Sequence, residues 1–183
     1  MTGFVSLDTI LAVLSIAIGL TIFLMQTRAD AKINNIIKTQ FRRQELEKKY
    51  FGTRLITNLE LVKKNYLKLQ QFLGEYLTDR SPASKTRVKN FSVFHSKHLD
   101  EYVVPTLRSD LGRLIQFIDD LELVDQLSSA FDDLSSIFKD CSVDSTLDEP
   151  DSSLREKISV LQERSKQLES LLSKLAREIP TIE

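Results

Sequence analysis

The chain has 183 residues, with 25 basic and 26 acidic side chains, a formal net charge of −1, five glycines and four prolines. Near-neutrality gives no global attraction to nucleic acid, and scarce glycine leaves no G-x-x-x-x-G-K loop to cradle phosphate; the composition suits long helices. Cys141 is the single cysteine, which excludes an intrachain disulfide framework and points to a reducing compartment.

No charged residue occurs from Thr9 to Met25. Extended back to Phe4, this run spans about 33 Å as a helix, against a hydrocarbon core of about 30 Å. It predicts a single transmembrane helix over Phe4–Met25, with Asp8 near one end, where it reaches headgroups and favours the helix N-terminus. Ala29-Asp30-Ala31 has the form of a signal-peptide cleavage site. Against cleavage, Met1–Ser6 holds no Lys or Arg, and the apolar stretch is longer than a usual signal core. Basic residues follow the span but do not precede it: Arg28, Lys32, Lys38, Arg42 and Arg43. The positive-inside bias therefore places the N-terminus outside the cell membrane and the C-terminal domain in the cytoplasm. The same five cations are candidates for contact with anionic headgroups. Ser15 and Gly19 form a small-x-x-x-small pair on which two such helices can pack.

Beyond the anchor, Pro82, Pro105, Pro150 and Pro180 punctuate four expected helical segments. The first runs from the membrane to about Leu77. In it Ile33, Ile37 and Phe41 form a stripe, and Leu55, Leu59, Val62, Tyr66, Leu69, Leu73 and Tyr76 alternate four and three as a heptad seam. Gly52 marks the expected break between these two patterns. A shorter, aromatic-rich segment covers about Thr86–Val104. A third, about Thr106–Lys139, carries an apolar face wide enough for several neighbours. The fourth, about Ser152–Ile179, repeats Leu154, Ile158, Leu161, Ser165, Leu168, Leu172, Leu175 and Ile179, and Ser153-x-x-Glu156 reads as its capping box.

The expected fold is all-α: an N-terminal transmembrane helix followed by a helical bundle with coiled-coil character. Its divisions are an anchor at 1–27, a basic juxtamembrane stalk at 28–52 and a bundle core at 53–140. An acidic, Ser-rich linker at 141–151 leads to a heptad helix at 152–183, packing on the bundle or on a partner chain. Leu154, Ile158, Leu161, Leu168, Leu172 and Leu175 are the residues through which a protein partner or a second copy would bind.

Charge is segregated along the chain. Arg28–Leu99 holds 16 basic and 6 acidic residues, whereas Asp100–Asp151 holds 3 and 14. Beyond Tyr50 the favoured explanation is intramolecular pairing, which selects helix neighbours more than it stabilises them. Basic residues spread around the helices, beside an acidic half, disfavour nucleic acid.

Candidate chemistry is thin. His95, His98 and Glu101 share a helical face, but a metal would need ligands from elsewhere, and H-E-x-x-H is absent. Cys141 lies among carboxylates that disfavour a thiolate. Asp119-Asp120 and Asp132-Asp133 are adjacent pairs, about 100° apart around a helix, and read as solvated. No catalytic, cofactor-binding or metal residue is assigned, and no cofactor is expected. The reading is a membrane-anchored protein acting in protein–protein interaction as scaffold, tether or assembly factor. The alternatives are a signal relay hinged at Gly52 and, more distantly, a helical enzyme.

Overall fold

The computed structural model describes residues 7–179, the side chains of 7–15 excepted, and among these residues there are helices and connections but no strand. The all-α expectation holds. The chain divides into two compact units, Met1–Leu46 and Glu47–Glu183.

Helix α1 (Leu7–Asp79) supplies the described part of the first unit and the central seam of the second. In the second unit the four-three alternation predicted from the sequence is the buried face. Leu55, Leu59, Val62, Leu69 and Leu73 are fully buried, with Tyr66 and Tyr76 nearly so. Burying each such side chain is worth about 1.5–3 kcal/mol, enough to hold the helix without high intrinsic propensity. Gly52 does not break α1. It lies inside the helix with Ile179 packed against it, so the missing side chain serves a close approach rather than a bend.

Helix α1 stops at a tight corner. Arg80 adopts φ 46°, the left-handed geometry common just past a helix end, and its amide N–H donates to the Tyr76 carbonyl at 2.9 Å. For a residue with a Cβ this geometry costs about 1–2 kcal/mol. Holding it there, the Arg80 guanidinium donates to the carbonyls of Leu147 and Glu149 and to the Asp151 carboxylate. Ser81 then caps α2 (Pro82–His98): its Oγ accepts from the Ser84 N–H at 3.1 Å, and Pro82 fills the first turn, where its missing N–H costs nothing. The second segment therefore starts four residues before the expected Thr86.

Pro105 does not end a helix either. It lacks the N–H that would pair with the carbonyl of residue 101, and the chain answers with one π turn, Leu99–Val103, in which the Val104 N–H reaches back to the Leu99 carbonyl. Helix α3 (Val104–Leu114) follows directly. The expected long third segment is in fact several pieces. After a 3₁₀ turn (Ile115–Phe117), Ile118 turns extended and Asp120 caps α4 (Leu121–Asp133), its Oδ1 accepting from the Leu123 N–H at 3.0 Å. Helices α5 (Ser136–Ser142) and α6 (Asp144–Leu147) come next, so the stretch 141–151 includes the buried Cys141 and Leu147. Two α1 tyrosines pin the two ends of this stretch: the Tyr66 hydroxyl donates to the carbonyl of Leu134, just past the end of α4, at 2.8 Å, and the Tyr76 hydroxyl to the carbonyl of Leu147, the last residue of α6, at 3.1 Å.

Helix α7 (Asp151–Glu178) starts after Pro150, and the Ser153 hydroxyl donates to the Glu149 carboxylate instead of capping the backbone, so the capping box does not form. Pro180, read as the helix stop, lies outside the described residues. Leu154, Leu161, Leu168 and Leu175 are buried in the same core as the α1 seam, with Ile158 and Leu172 packed against it. The two heptad seams thus meet within one chain.

Ion pairs join the basic and acidic halves as the charge pattern anticipated: Arg54–Asp110, Arg80–Asp151, Lys85–Asp148 at 2.5 Å and Lys89–Asp144 at 2.6 Å. The exposed ones are worth about 0–1 kcal/mol each, so they select neighbours rather than drive folding.

Candidate functional site

The first unit carries the feature most out of place for a water-exposed helix. From Ile16 to Met25 every described large apolar side chain is exposed, from 48 % at Leu24 to 67 % at Met25. The few polar groups there are satisfied locally. The Thr21 hydroxyl donates to the Ala17 carbonyl at 2.8 Å, and Thr27 donates to Phe23 and Leu24 at 3.1 Å. Such back-bonding removes hydroxyls from competition for water. A Cβ on Gly19 would meet nothing within 4 Å. The basic group Arg28, Lys32, Lys38, Arg42 and Arg43 follows on the same helix, as does the exposed Ile33, Ile37 and Phe41 stripe. Among the described residues no helix is long and apolar enough to cross a membrane. Of the span expected over Phe4–Met25, positions 4–6 fall outside those residues; the helix over Leu7–Met25 measures about 28 Å, and its side chains are described from Ile16 on.

In the second unit, Arg54 and the fully buried Asp110 form a two-pronged ion pair, with Arg54 Nε donating to Oδ2 at 2.7 Å and the other guanidinium nitrogen to Oδ1. The guanidinium also lies over the rings of Tyr50 and Phe51, 5.4 and 5.5 Å from their centroids, and Arg113 covers Phe51 at 4.8 Å. The Asp110 hydrogen bond raises the Arg54 pKa further above its already high value. Both oxygens of the buried carboxylate are occupied, which makes this a structural clamp.

The histidines have separate surroundings. The His95 Nδ1 is 3.2 Å from Asn65 Nδ2, and its ring packs on Phe91 at 4.2 Å and Phe138 at 5.8 Å. Burial, then the charges of His98 and Lys68, pushes its pKa below the ordinary histidine value. His98 instead lies between Phe94, 6.0 Å away and nearly parallel, and Tyr102 at 5.6 Å. Among the described residues no three metal-ligating side chains converge. Cys141 is fully buried, and burial pushes its thiol up to about 12. Desolvation is thus the leading cause, ahead of the nearby carboxylates Asp140 and Glu149.

Two surface features escaped the sequence reading. One is the ring stripe Phe94–His98–Tyr102, whose outer members are 64 % and 62 % exposed. The other is an open groove of about 790 Å³ between α4 and α7, reaching Tyr66 of α1. Its floor includes Leu134, Leu168 and Leu171, and Glu122, Asp125 and Asp133 line it. The groove cations are already engaged: Arg164 donates to the Asp133 carbonyl and the Ser136 hydroxyl, and Lys174 to Gln126 Oε1. The spacing of Phe94, His98 and Tyr102 at every fourth position was visible in the sequence, but only the packing of α2 shows that the stripe faces outward.

Comparison with known protein families, curated proteins and solved structures finds no match to this chain.

Proposed function

We propose that the protein is a single-pass membrane protein in which the helix over Phe4–Met25 spans the bilayer and the helical bundle works at the cytoplasmic face in protein–protein interaction, as a scaffold, tether or assembly factor. The observation that carries the anchor is the run Ile16–Met25. Apolar side chains are exposed all around it and the threonine hydroxyls are bonded to their own helix, an arrangement costly in water and favourable in hydrocarbon. Arg28, Lys32, Lys38, Arg42 and Arg43 then supply the positive-inside signal and contact for anionic headgroups, at about 1 kcal/mol for each well-placed cation.

Support for interaction over catalysis comes from where the polar chemistry goes. Asp110, His95 and Cys141 are engaged in packing, whereas the exposed aromatic stripe and the open groove are the surfaces left to a partner. Aromatic anchors of this kind concentrate binding energy at protein interfaces.

The test is fractionation and topology of the full chain. It should stay with membranes after alkaline carbonate washing, and a reporter fused after Glu183 should report from the cytoplasm. Release by carbonate would overturn the anchor, and a reporter on the far side would overturn the orientation. Intact mass of the membrane-extracted chain should include Met1–Asp30.

A further inference from the structure

The stripe and the groove are complementary. On α2 and the π turn, Phe94, His98 and Tyr102 stand in line, covering about 12 Å of helix length. On the neighbouring α1, Asn65 lies 3.2 Å from His95 of α2; one turn on, the exposed Lys68 holds its ammonium 5.7 Å from the Phe72 ring centroid, and the exposed Lys64 is one turn before Lys68. Neither lysine forms an ion pair among the described residues. Across the molecule the groove has the opposite character. Glu122, Asp125 and Asp133 lie along about 16 Å of α4, also without an ion pair among the described residues, above a floor of leucines. A ridge of aromatic rings flanked by cations thus has the length and charge to enter a leucine-floored trough flanked by carboxylates.

Their heights agree as well. Asn65 of α1 touches His95 behind the stripe, and the next residue, Tyr66, lines the groove. Stripe and groove therefore sit at the same level along α1. Two bundles side by side with the bundle portions of their α1 helices parallel bring one to the other without axial shift.

We infer that the partner of this surface is a second copy of the chain: the Phe94–His98–Tyr102 stripe with Lys64 and Lys68 of one copy seats in the α4–α7 groove of the other. The inference rests on the bundle being an interaction module and names its partner. Opposite charge speeds and orients the encounter, while the apolar rings against Leu168 and Leu171 hold it. Of the α7 seam only Leu168 lines the groove; Leu154, Leu161 and Leu175 are buried in the chain's own core and take no part in it.

The test uses full-length chains in detergent micelles and two charge-reversed variants. One carries Lys64→Glu with Lys68→Glu, the other Asp125→Lys with Asp133→Lys; all four positions are exposed, so the fold is retained, as circular dichroism checks. The unmodified chain should sediment as more than its 21.0 kDa monomer. Each variant alone should self-associate at least tenfold more weakly, because like charges then face each other. Mixed, a tagged copy of one should capture the other with affinity within about threefold of the unmodified pair. Phe94→Ser with Tyr102→Ser should also weaken self-association tenfold or more. A monomeric unmodified chain overturns the inference, as do variants that associate undiminished or a mixture that recovers nothing. A monomer that still captures a different membrane protein through these faces would leave the interaction-module reading standing and remove only the second copy.

Discussion

Ile179 lies against the bare Cα of Gly52, so that a Cβ added there would come within 2.8 Å of Ile179 Cδ1 and 3.2 Å of its Cβ, and closer still to Cγ2. This contact fastens the end of α7 to the middle of α1. Two opposing terms act on Gly52→Ala: better helix propensity, worth about 1 kcal/mol, and overpacking, costing about 1–3 kcal/mol. The substitution should destabilise the intact chain by about 1 kcal/mol. With Ile179→Ala already present only the propensity term remains, and the same change should become stabilising. Chemical denaturation of the four chains in a double-mutant cycle reads the sign; an unchanged sign would show that the contact does not limit position 52.

Arg54 and Asp110 make a second testable pair. Removing Arg54 leaves a fully buried carboxylate without its counter-charge. Arg54→Met should cost about 2–4 kcal/mol, less than the largest values for buried pairs because the arginine is partly exposed. Arg54→Met with Asp110→Leu should recover most of that loss. Equal loss in the single and double variants would mean that packing, not the uncompensated charge, sets the cost.

Acid should act in two pH windows. His95 has a folded pKa below its unfolded value near 6.5, so its contribution is complete above about pH 6.5 and is lost as pH falls toward the folded value. Asp79, Asp144, Glu149 and Asp151 also have depressed values, held down chiefly by hydrogen bonds from Ser84, Lys89, Ser153 and Arg80 respectively. Their contributions are present above roughly pH 4 and are lost below it. Melting temperature followed against pH should fall first between about 7 and 5 and again below 4. His95→Gln should abolish the first decline and spare the second; persistence of both would remove His95 from the account.

The seam of α7 separates core from interface. Leu161→Asp with Leu168→Asp puts two carboxyl groups into the buried core, so the bundle should unfold rather than merely change its assembly, with loss of helical circular dichroism at 25 °C. Ser165 behaves oppositely. Its buried Oγ has no partner among the described residues, and Ser165→Ala should raise stability by about 1 kcal/mol in urea denaturation. A stable fold in the first variant would mean that these leucines are not core.

The sequence announced the two seams because a repeat of four and three can bury only one face, and each leucine it selected on α7 is buried or packed on the core. At Gly52 the sequence pattern is ambiguous, because glycine means either a bend or a close approach, and only Ile179, 127 positions away in sequence, decides between them. The break before Asp120 is legible in principle, since an aspartate before an apolar run is a helix start, but an adjacent Asp119-Asp120 pair has the same pattern as a solvated face. The π turn was less so, since Pro105 signals a defect without saying whether the chain stops or shifts register. The stripe and groove depend on which faces α2, α4 and α7 turn to the core, which periodicity alone does not assign.

Tyr66 and Tyr76 hold the carbonyls of Leu134 and Leu147 from points about 15 Å apart along one helix. The intervening chain is therefore measured out like a strap between two buckles. One residue too many between Leu134 and Leu147 would buckle outward, and one too few would pull a phenol off its carbonyl. Related chains that keep this bundle should vary freely in the identity of the exposed residues along this strap but hardly at all in its length.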